Sequence, residues 1–177
     1  MIDTLKQKIS NAVVQWQLKD RRYSPRSFEG FFRKSFAFLV LMPKNESDFH
    51  HALKVLEGLS EAKKKATIFT YDFKVSLIPM KFRPQVIDHG VSDVNSINLP
   101  SKKLVSKLSD YNFQVVLDLN REQNTFYSYV ASLIDVPIRV GFSKENADKF
   151  YNVQLVDNGS SAEISYKNFL NFLLMFD

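Results

Sequence analysis

The stretch FAFLVLMPKNESDFHHALKVLEGLSEA, residues 36–62, predicts a buried β-strand followed by an amphipathic helix. Its first seven residues are all apolar, which is typical of a strand covered on both faces of a parallel sheet. Pro43 and Asn45 end this run, and Asn45 or Ser47 can cap a helix that begins near Asp48. The unit indicates a doubly wound α/β domain, in which ligands bind at the carboxyl ends of the strands.

Further strands and helices follow in alternation along the chain. Strands are expected at 66–71, 85–88, 113–119, 136–142 and 151–156, and helices at 101–108, 125–134 and 162–175. The predicted fold class is therefore α/β, a three-layer Rossmann-like domain with a mainly parallel sheet. We expect this single domain to span residues 36–177, after a basic helical extension over residues 1–35.

Composition limits the classes of function. The 177 residues are 45% hydrophobic and contain no cysteine, which excludes disulfides and thiol chemistry. The sequence shows neither a signal-peptide core nor a run of about 20 apolar residues that would cross a bilayer. A cytoplasmic location is the expectation, with a peripheral position at the inner membrane as an option.

The N-terminal extension carries the excess positive charge. Residues 1–35 hold eight basic and three acidic residues, whereas the remaining 142 residues are balanced. An amphipathic helix is expected over residues 2–19, with an apolar stripe of Ile2, Leu5, Ile9, Val13 and Trp16. This stripe packs on the domain or on a second copy of the chain in one interpretation. In another it lies on a membrane surface, since Trp and Lys are typical of interfacial helices.

Residues 20–34 mix arginine with tyrosine and phenylalanine, a combination that can bind nucleic-acid strands by charge and stacking. No RNP, KH or helix-turn-helix signature accompanies them, so nucleic-acid binding is not expected. The simpler interpretation is a connector that Phe28, Phe31 and Phe32 anchor to the body.

Candidate ligand-binding residues cluster after two predicted strands. Asn45, Ser47 and His50 belong to the first loop and helix start, and Asp118, Asn120 and Arg121 follow strand 113–119. Arg121 can bind an anionic group through two parallel hydrogen bonds or simply pair with Glu122.

Neither a metal nor a cofactor is expected. His50 and His51 are adjacent, point about 100° apart on a helix and cannot easily share one metal, while His89 is distant. Glycine-rich phosphate loops such as GxGxxG do not occur in the sequence.

The last predicted helix is apolar on nearly all sides. Such a helix needs cover on more than one face, so residues 162–176 are a candidate surface for a homodimer or a partner protein.

Four segments together resemble the N-terminal half of the heptosyltransferase-like glycosyltransferases, glycosyltransferase family 9 of the GT-B architecture. They are FLVLMPKNESDFHHALKVLEGL (38–59), SDYNFQVVLDLNRE (109–122), ASLIDVPIRVGF (131–142), and the pair NVQLV (152–156) and SYKNFLNFLLMF (165–176). The resemblance covers about residues 36–176 and lies in the order and spacing of the segments.

The resemblance implies an acceptor sugar on this half, a nucleotide-sugar donor on a second half, and catalysis in the cleft between them. It assigns the catalytic base to Asp48, at the position of the aspartate in the family's Gly-Asp pair, although Ser47 replaces the glycine. No donor half is recognised in the 177 residues. We therefore expect a half-domain for cell-envelope polysaccharide or lipopolysaccharide glycosylation that is inactive alone or depends on a partner. The alternative is a non-catalytic homodimeric scaffold that uses the last and first helices, so enzymatic activity stays open.

Overall fold

The structure, a computed structural model, describes residues 2–19, 27–159 and 161–177. Its helices are α1 (Ile2–Gln17), α2 (Phe31–Lys34), α3 (Glu46–Glu61), α4 (Lys102–Ser109), α5 (Thr125–Leu133) and α6 (Ala162–Leu174). Its strands are β1 (Ala37–Leu41), β2 (Lys65–Tyr71), β3 (Val86–His89), β4 (Val115–Asp118), β5 (Ile138–Phe142) and β6 (Val153–Leu155). Short 3-10 turns cover Asp72–Leu77, Met80–Gln85, Val91–Asp93 and Ala147–Lys149.

The six strands form one sheet in the order β3-β2-β1-β4-β5-β6, and every pair is parallel. Strands β1 and β4 are in register with Leu39 opposite Val116 and Leu41 opposite Asp118. The chain runs outward from β1 to one edge and then returns to β4 to build the other half. The predicted three-layer α/β class is confirmed.

Two apolar clusters cover the two faces of the sheet. One joins α2, α3 and α6 to the sheet, and the other joins α1, α4 and α5 to the opposite face. All four β1 residues from Phe38 to Leu41 are fully buried, as their continuous apolar run predicted.

The first strand–loop–helix unit forms as expected, with a small shift. Helix α3 begins at Glu46, two residues before the predicted start, and Asn45 is its N-cap. The Asn45 Oδ1 atom accepts hydrogen bonds from the backbone N–H groups of Ser47, at 2.9 Å, and Asp48. The alternative prediction of Ser47 as the cap is wrong, because Ser47 already lies in the first helical turn.

Helix α1 forms, but most of its apolar stripe does not pack on the domain. It packs on α5 through Val14, with Ser10 and Leu18 buried beside it, whereas Leu5, Ile9 and Trp16 are exposed. Val13 packs partly against the same cluster, whereas the rest of the described stripe faces outward, since polar contacts to α5 such as that of Gln7 orient the helix the other way. The side chain of Ile2 lies outside the described part.

The connector is anchored at its described end. Phe31 and Phe32 are buried and Phe28 packs against the same cluster, which confirms the predicted anchoring. Residues 20–26, which carry most of the expected basic and aromatic character, lie outside the described residues.

Much of the apolar surface of helix α6 is buried against other parts of the same chain. Leu170 packs against Gly58 of α3, where a Cβ atom would lie 2.5 Å from Leu170 Cδ1. The Phe31 and Phe176 rings lie 4.8 Å apart, and the Phe32 N–H donates to the Phe176 carbonyl at 3.1 Å. Ile164, Leu174 and Met175 stay exposed. A partner surface on residues 162–176 therefore remains a prediction.

No helix of the described residues is both long enough and apolar enough to span a bilayer.

Candidate functional site

The order in which the chain adds strands reverses between β1 and β4, and a cavity of about 950 Å³ opens at the carboxyl ends of these two parallel strands. This is the point at which open α/β sheets bind ligands. The loops after β1, β2, β3 and β4 line the cavity, and α1 closes one side of it with Gln7 and Asn11. A smaller cavity of about 410 Å³ adjoins it towards the start of α6.

Asp48 stands between the two cavities and lines both. It lies in the first turn of α3, where the helix dipole stabilises a negative charge. Only 9% of its side chain is exposed, and its Oδ1 atom accepts a hydrogen bond from Arg121 Nη1 at 3.2 Å. The carboxylate is therefore held in one place and faces the cleft.

Arg121 follows β4 and bridges two carboxylates. Its Nη1 atom reaches Asp48, and its Nε atom donates to Asp157 Oδ2 at 2.7 Å. The Ser165 hydroxyl of α6 donates to the other Asp157 oxygen at 3.0 Å. Burial opposes the charge on Arg121, but the hydrogen bonds and charges of Asp157 and Asp48 outweigh burial and raise its pKa. The bridge therefore ties β4, α3 and α6 together.

A second polar network lies beneath the cleft. Asp118 is fully buried and accepts hydrogen bonds from the Asn120 side chain at 2.7 Å, from Lys144 Nζ at 3.3 Å and from the Tyr151 hydroxyl. Asn120 in turn accepts from the Lys44 N–H at 3.0 Å, which fixes the loop after β1. This network sets the shape of the cleft floor.

Tyr166 of α6 completes the floor. Its hydroxyl donates to the Leu119 carbonyl at 2.7 Å. Burial and the nearby Asp48 charge raise its pKa well above the usual range, so the phenol stays protonated and acts as a donor.

Lys74 is a buried cation that the sequence analysis missed. Its ammonium donates to the Lys44 carbonyl at 2.6 Å and lies 5.0 Å from the centre of the Phe49 ring. Burial lowers its pKa, and the charge of Glu46 offsets part of this change. Lys74 thus binds the loop after β1 through the Lys44 carbonyl. No sequence pattern indicates this contact, because Lys74 lies in a 3-10 turn 30 residues after Lys44.

The opposite side of the cleft is aromatic. The Tyr71 and Phe73 rings lie 5.3 Å apart and nearly parallel, and Tyr71 lies 4.2 Å from the His89 ring. His89 is buried, contacts the Tyr127 hydroxyl at 3.0 Å, and has a pKa lowered to about 4 by burial. Tyr71 and Phe73 line the cavity while His89 supports them from behind.

The predicted site residues fall into three groups. Asn45, Asp48, Asn120 and Arg121 line the large cavity, although the Asn120 side chain is engaged within the protein. Ser47 lines only the smaller cavity.

Asp118 lies under the cleft floor and lines neither cavity, and His50 is exposed on α3 away from both. For these two residues, a direct ligand contact has no geometric support in the structure. Among the described residues, no group of three or more His, Asp or Glu side chains is placed to hold a metal ion.

The sequence matches no family model, and a search of curated proteins finds no match either. Among solved structures, the chain is similar to the crystal structure of the glycosyl transferase family 9 from Veillonella parvula DSM 2008, with a TM-score of 0.57 and 20% identity. The match covers 81% of this chain. The fold is that of a family 9 glycosyltransferase domain.

The resemblance expected from the sequence is confirmed at the level of this family 9 fold. The chain covers 42% of the length of the Veillonella protein. The comparison therefore concerns part of that protein, and its activity does not transfer with the fold.

Proposed function

We propose that this chain is the acceptor-side half of a family 9-like glycosyltransferase that acts in cell-envelope polysaccharide or lipopolysaccharide glycosylation. A donor-binding half is required for transfer, and we propose that the chain depends on a partner for it. The observation that carries this proposal is the position of Asp48. A carboxylate in the first turn of α3, the helix that follows β1, faces a large cleft at the switch point of a family 9 fold.

In the proposed reaction, Asp48 acts as general base. It removes the proton from an acceptor hydroxyl while that oxygen attacks the anomeric carbon of a nucleotide sugar. The bond from that carbon to the diphosphate breaks, and the diphosphate leaves with the electron pair. Arg121 positions Asp48 through the hydrogen bond to Oδ1. The acceptor occupies the large cavity in this scheme.

Calorimetric titration with a panel of nucleotide sugars, including ADP-heptose, tests the proposal. Binding that disappears in Asp48→Ala but persists in Glu122→Gln would mean that the half-domain by itself retains a working site at Asp48, because Glu122 is an exposed carboxylate of the same cleft. If a folded sample binds none of the panel, the chain does not act as an unaided transferase. Transfer after a donor-binding half is added is then the decisive assay.

The second candidate is a non-catalytic interaction module. Two observations favour it. The ion pair with Arg121 occupies the Asp48 carboxylate, and Ile164, Leu174 and Met175, in and just after α6, are exposed apolar residues. Sedimentation velocity separates the candidates. A stable dimer that Leu174→Glu dissociates, without any nucleotide-sugar binding by wild type, supports the module.

We also propose that α1 contacts an anionic membrane surface. At 100° per residue, Leu5, Ile9 and Trp16 fall within roughly 40° of one another and lie opposite Val14. Lys8 flanks this stripe, as in helices that bind lipid head groups.

Trp16 is the sole tryptophan and is 75% exposed, so its fluorescence reports on this contact directly. A blue shift with phosphatidylglycerol vesicles, absent with phosphatidylcholine vesicles and in Ile9→Asp, is expected. An unchanged spectrum would contradict the membrane proposal.

A further inference from the structure

The cavity at the switch point has an aromatic side and an amide side. Tyr71, Phe73 and Phe126 supply rings, and Phe73 is 68% exposed. A sugar ring has an apolar C–H face that fits against such a surface, and its hydroxyls both donate and accept hydrogen bonds.

Carboxamides supply the matching polar groups. Gln7, Asn11, Asn45, Asn98, Gln123 and Asn124 all line the cavity. A primary amide offers donors and an acceptor without a net charge, which suits hydroxyl groups better than phosphates.

Helix α1 brings two of these amides into the cavity, and α5 fixes them there. Gln7 Nε2 donates to Thr125 Oγ1 at 2.9 Å, and Asn11 Oδ1 accepts from the same hydroxyl. The Gln7 Oε1 atom and the Asn11 Nδ2 group have no protein partner among the described residues. One acceptor and one donor are therefore available to a ligand.

The charges of the cavity disfavour an anionic ligand. Its charged lining residues are Lys44, Asp48, Asp72, Arg121 and Glu122, so carboxylates outnumber cations. Arg121 is already bound to Asp48 and Asp157.

Two further lysines near the site face inward. The buried Lys74 donates to the Lys44 carbonyl, the half-buried Lys144 donates to Asp118, and neither lysine lines the cavity. Lys44 is thus left as the one lining cation, among the described residues, that is not held by a carboxylate.

We infer that the cavity binds an uncharged sugar acceptor, stacked on Phe73 and held by the α1 amides of Gln7 and Asn11. The inference rests on the proposed function and specifies its acceptor class. A phosphate or carboxylate on the ligand would lose its water and meet three lining carboxylates against Lys44 as the one cation that no carboxylate holds among the described lining residues, so an anionic group weakens binding.

Matched sugar pairs test this selectivity. Saturation-transfer NMR of the full chain compares mannose with mannose 6-phosphate, and glucose with glucuronic acid. We expect the uncharged member of each pair to bind about tenfold more tightly, a difference of roughly 1.4 kcal/mol. Phe73→Ala and Gln7→Ala should weaken the uncharged sugars, whereas Met80→Ala should not, because Met80 is equally exposed but lies outside the cavity.

The outcomes separate this inference from the proposed transferase function. Equal or tighter binding of the charged members overturns the inference and leaves a transferase with an anionic acceptor. Adenosine binding without sugar binding would also overturn it, since the aromatic side would then hold a nucleobase. Absence of all sugar binding overturns both the inference and the acceptor site, whereas failure of nucleotide-sugar binding alone removes only unaided transfer.

Discussion

At the scale of single residues, Arg121 is the group that holds the site together. Arg121→Met leaves Asp48 and Asp157 largely buried without their cation, with side chains 9% and 14% exposed. We expect a loss of about 2–3 kcal/mol in the free energy of unfolding, measured by urea denaturation. Lys54→Met is the control, since the Lys54–Glu163 pair is exposed to solvent and should contribute little to stability. If Arg121→Met and Lys54→Met lower the free energy of unfolding equally, the Asp48–Arg121–Asp157 bridge has no special structural role.

His89 makes stability depend on pH. Its pKa is about 4 in the folded protein and about 6.5 when unfolded, so the unfolded chain binds the extra proton between these values. The contribution is fully present above pH 6.5 and is lost as the pH falls towards 4, by about 2–3 kcal/mol.

Urea titrations at pH 7 and pH 4.5 check this dependence. His89→Gln should flatten the difference between the two pH values, and His50→Gln, on the exposed face of α3, is the control. A wild-type pH dependence in His89→Gln would contradict the assignment.

Single-sequence reasoning located part of the site. Asp48 and Arg121 were expected at strand ends, and the structure brings them within 3.2 Å of each other. Two other partners could not be predicted from the sequence. Asp157, which binds Arg121, follows β6, and Lys144, which binds Asp118, follows β5, so only the folded sheet brings these residues together. Glu122, the predicted alternative partner of Arg121, lies next to it in sequence, whereas the described ion pairs of Arg121 are with Asp48 and Asp157.

At the scale of elements, two residues of the β5 segment IRVGF, Arg139 and Gly141, have packing roles that explain their identity. Gly141 lies under Tyr151, because a Cβ atom there would be 3.0 Å from three atoms of the ring. Arg139 Nε donates to the Ala131 carbonyl at 2.9 Å, so its guanidinium satisfies the end of α5. Arg139 is not a sheet-edge residue, since β5 lies between β4 and β6.

Gly141→Ala is therefore expected to destabilise the protein by about 1–3 kcal/mol, because the fully anchored Tyr151 ring cannot move aside. Thermal unfolding measures the effect. In a Tyr151→Leu background the added methyl should cost less, and this non-additivity identifies the ring as the obstacle. If the two substitutions instead lower the free energy of unfolding additively, the Tyr151 ring is not what the added methyl meets.

The strands could be predicted from the sequence because they are short, mainly apolar runs between polar, proline or glycine residues. The face of α1 was not predictable in the same way. Its apolar residues do recur at helical spacing, yet Ser10 and Val14 face the body. Hydrogen bonds between α1 side chains and α5 favour this orientation over one in which the apolar stripe is buried. Periodicity reports which face is apolar and not what lies next to it.

At the scale of the whole molecule, α1 is attached to the body by few core residues. Val14→Asp places a charge against α5 and should detach α1 while the sheet stays folded, since β1 to β6 form their own core. Hydrogen exchange measured by mass spectrometry should show lost protection in α1 and unchanged protection in β1. Gln15→Asp, on a less buried position of the same helix, is the matched control. Global loss of protection would show that α1 is part of the cooperative unit.

The central position of β1 has a consequence during synthesis. Its β2 neighbour is made soon afterwards, but β4 begins only at Val115, after β3 has ended at His89. At about 5–20 residues per second, the ribosome needs roughly one to five seconds for the intervening segment. During that delay the free edge of β1, with the apolar run Phe38 to Leu41, has no strand beside it. The nascent half-sheet is therefore the stage at which we expect chaperones to bind this protein.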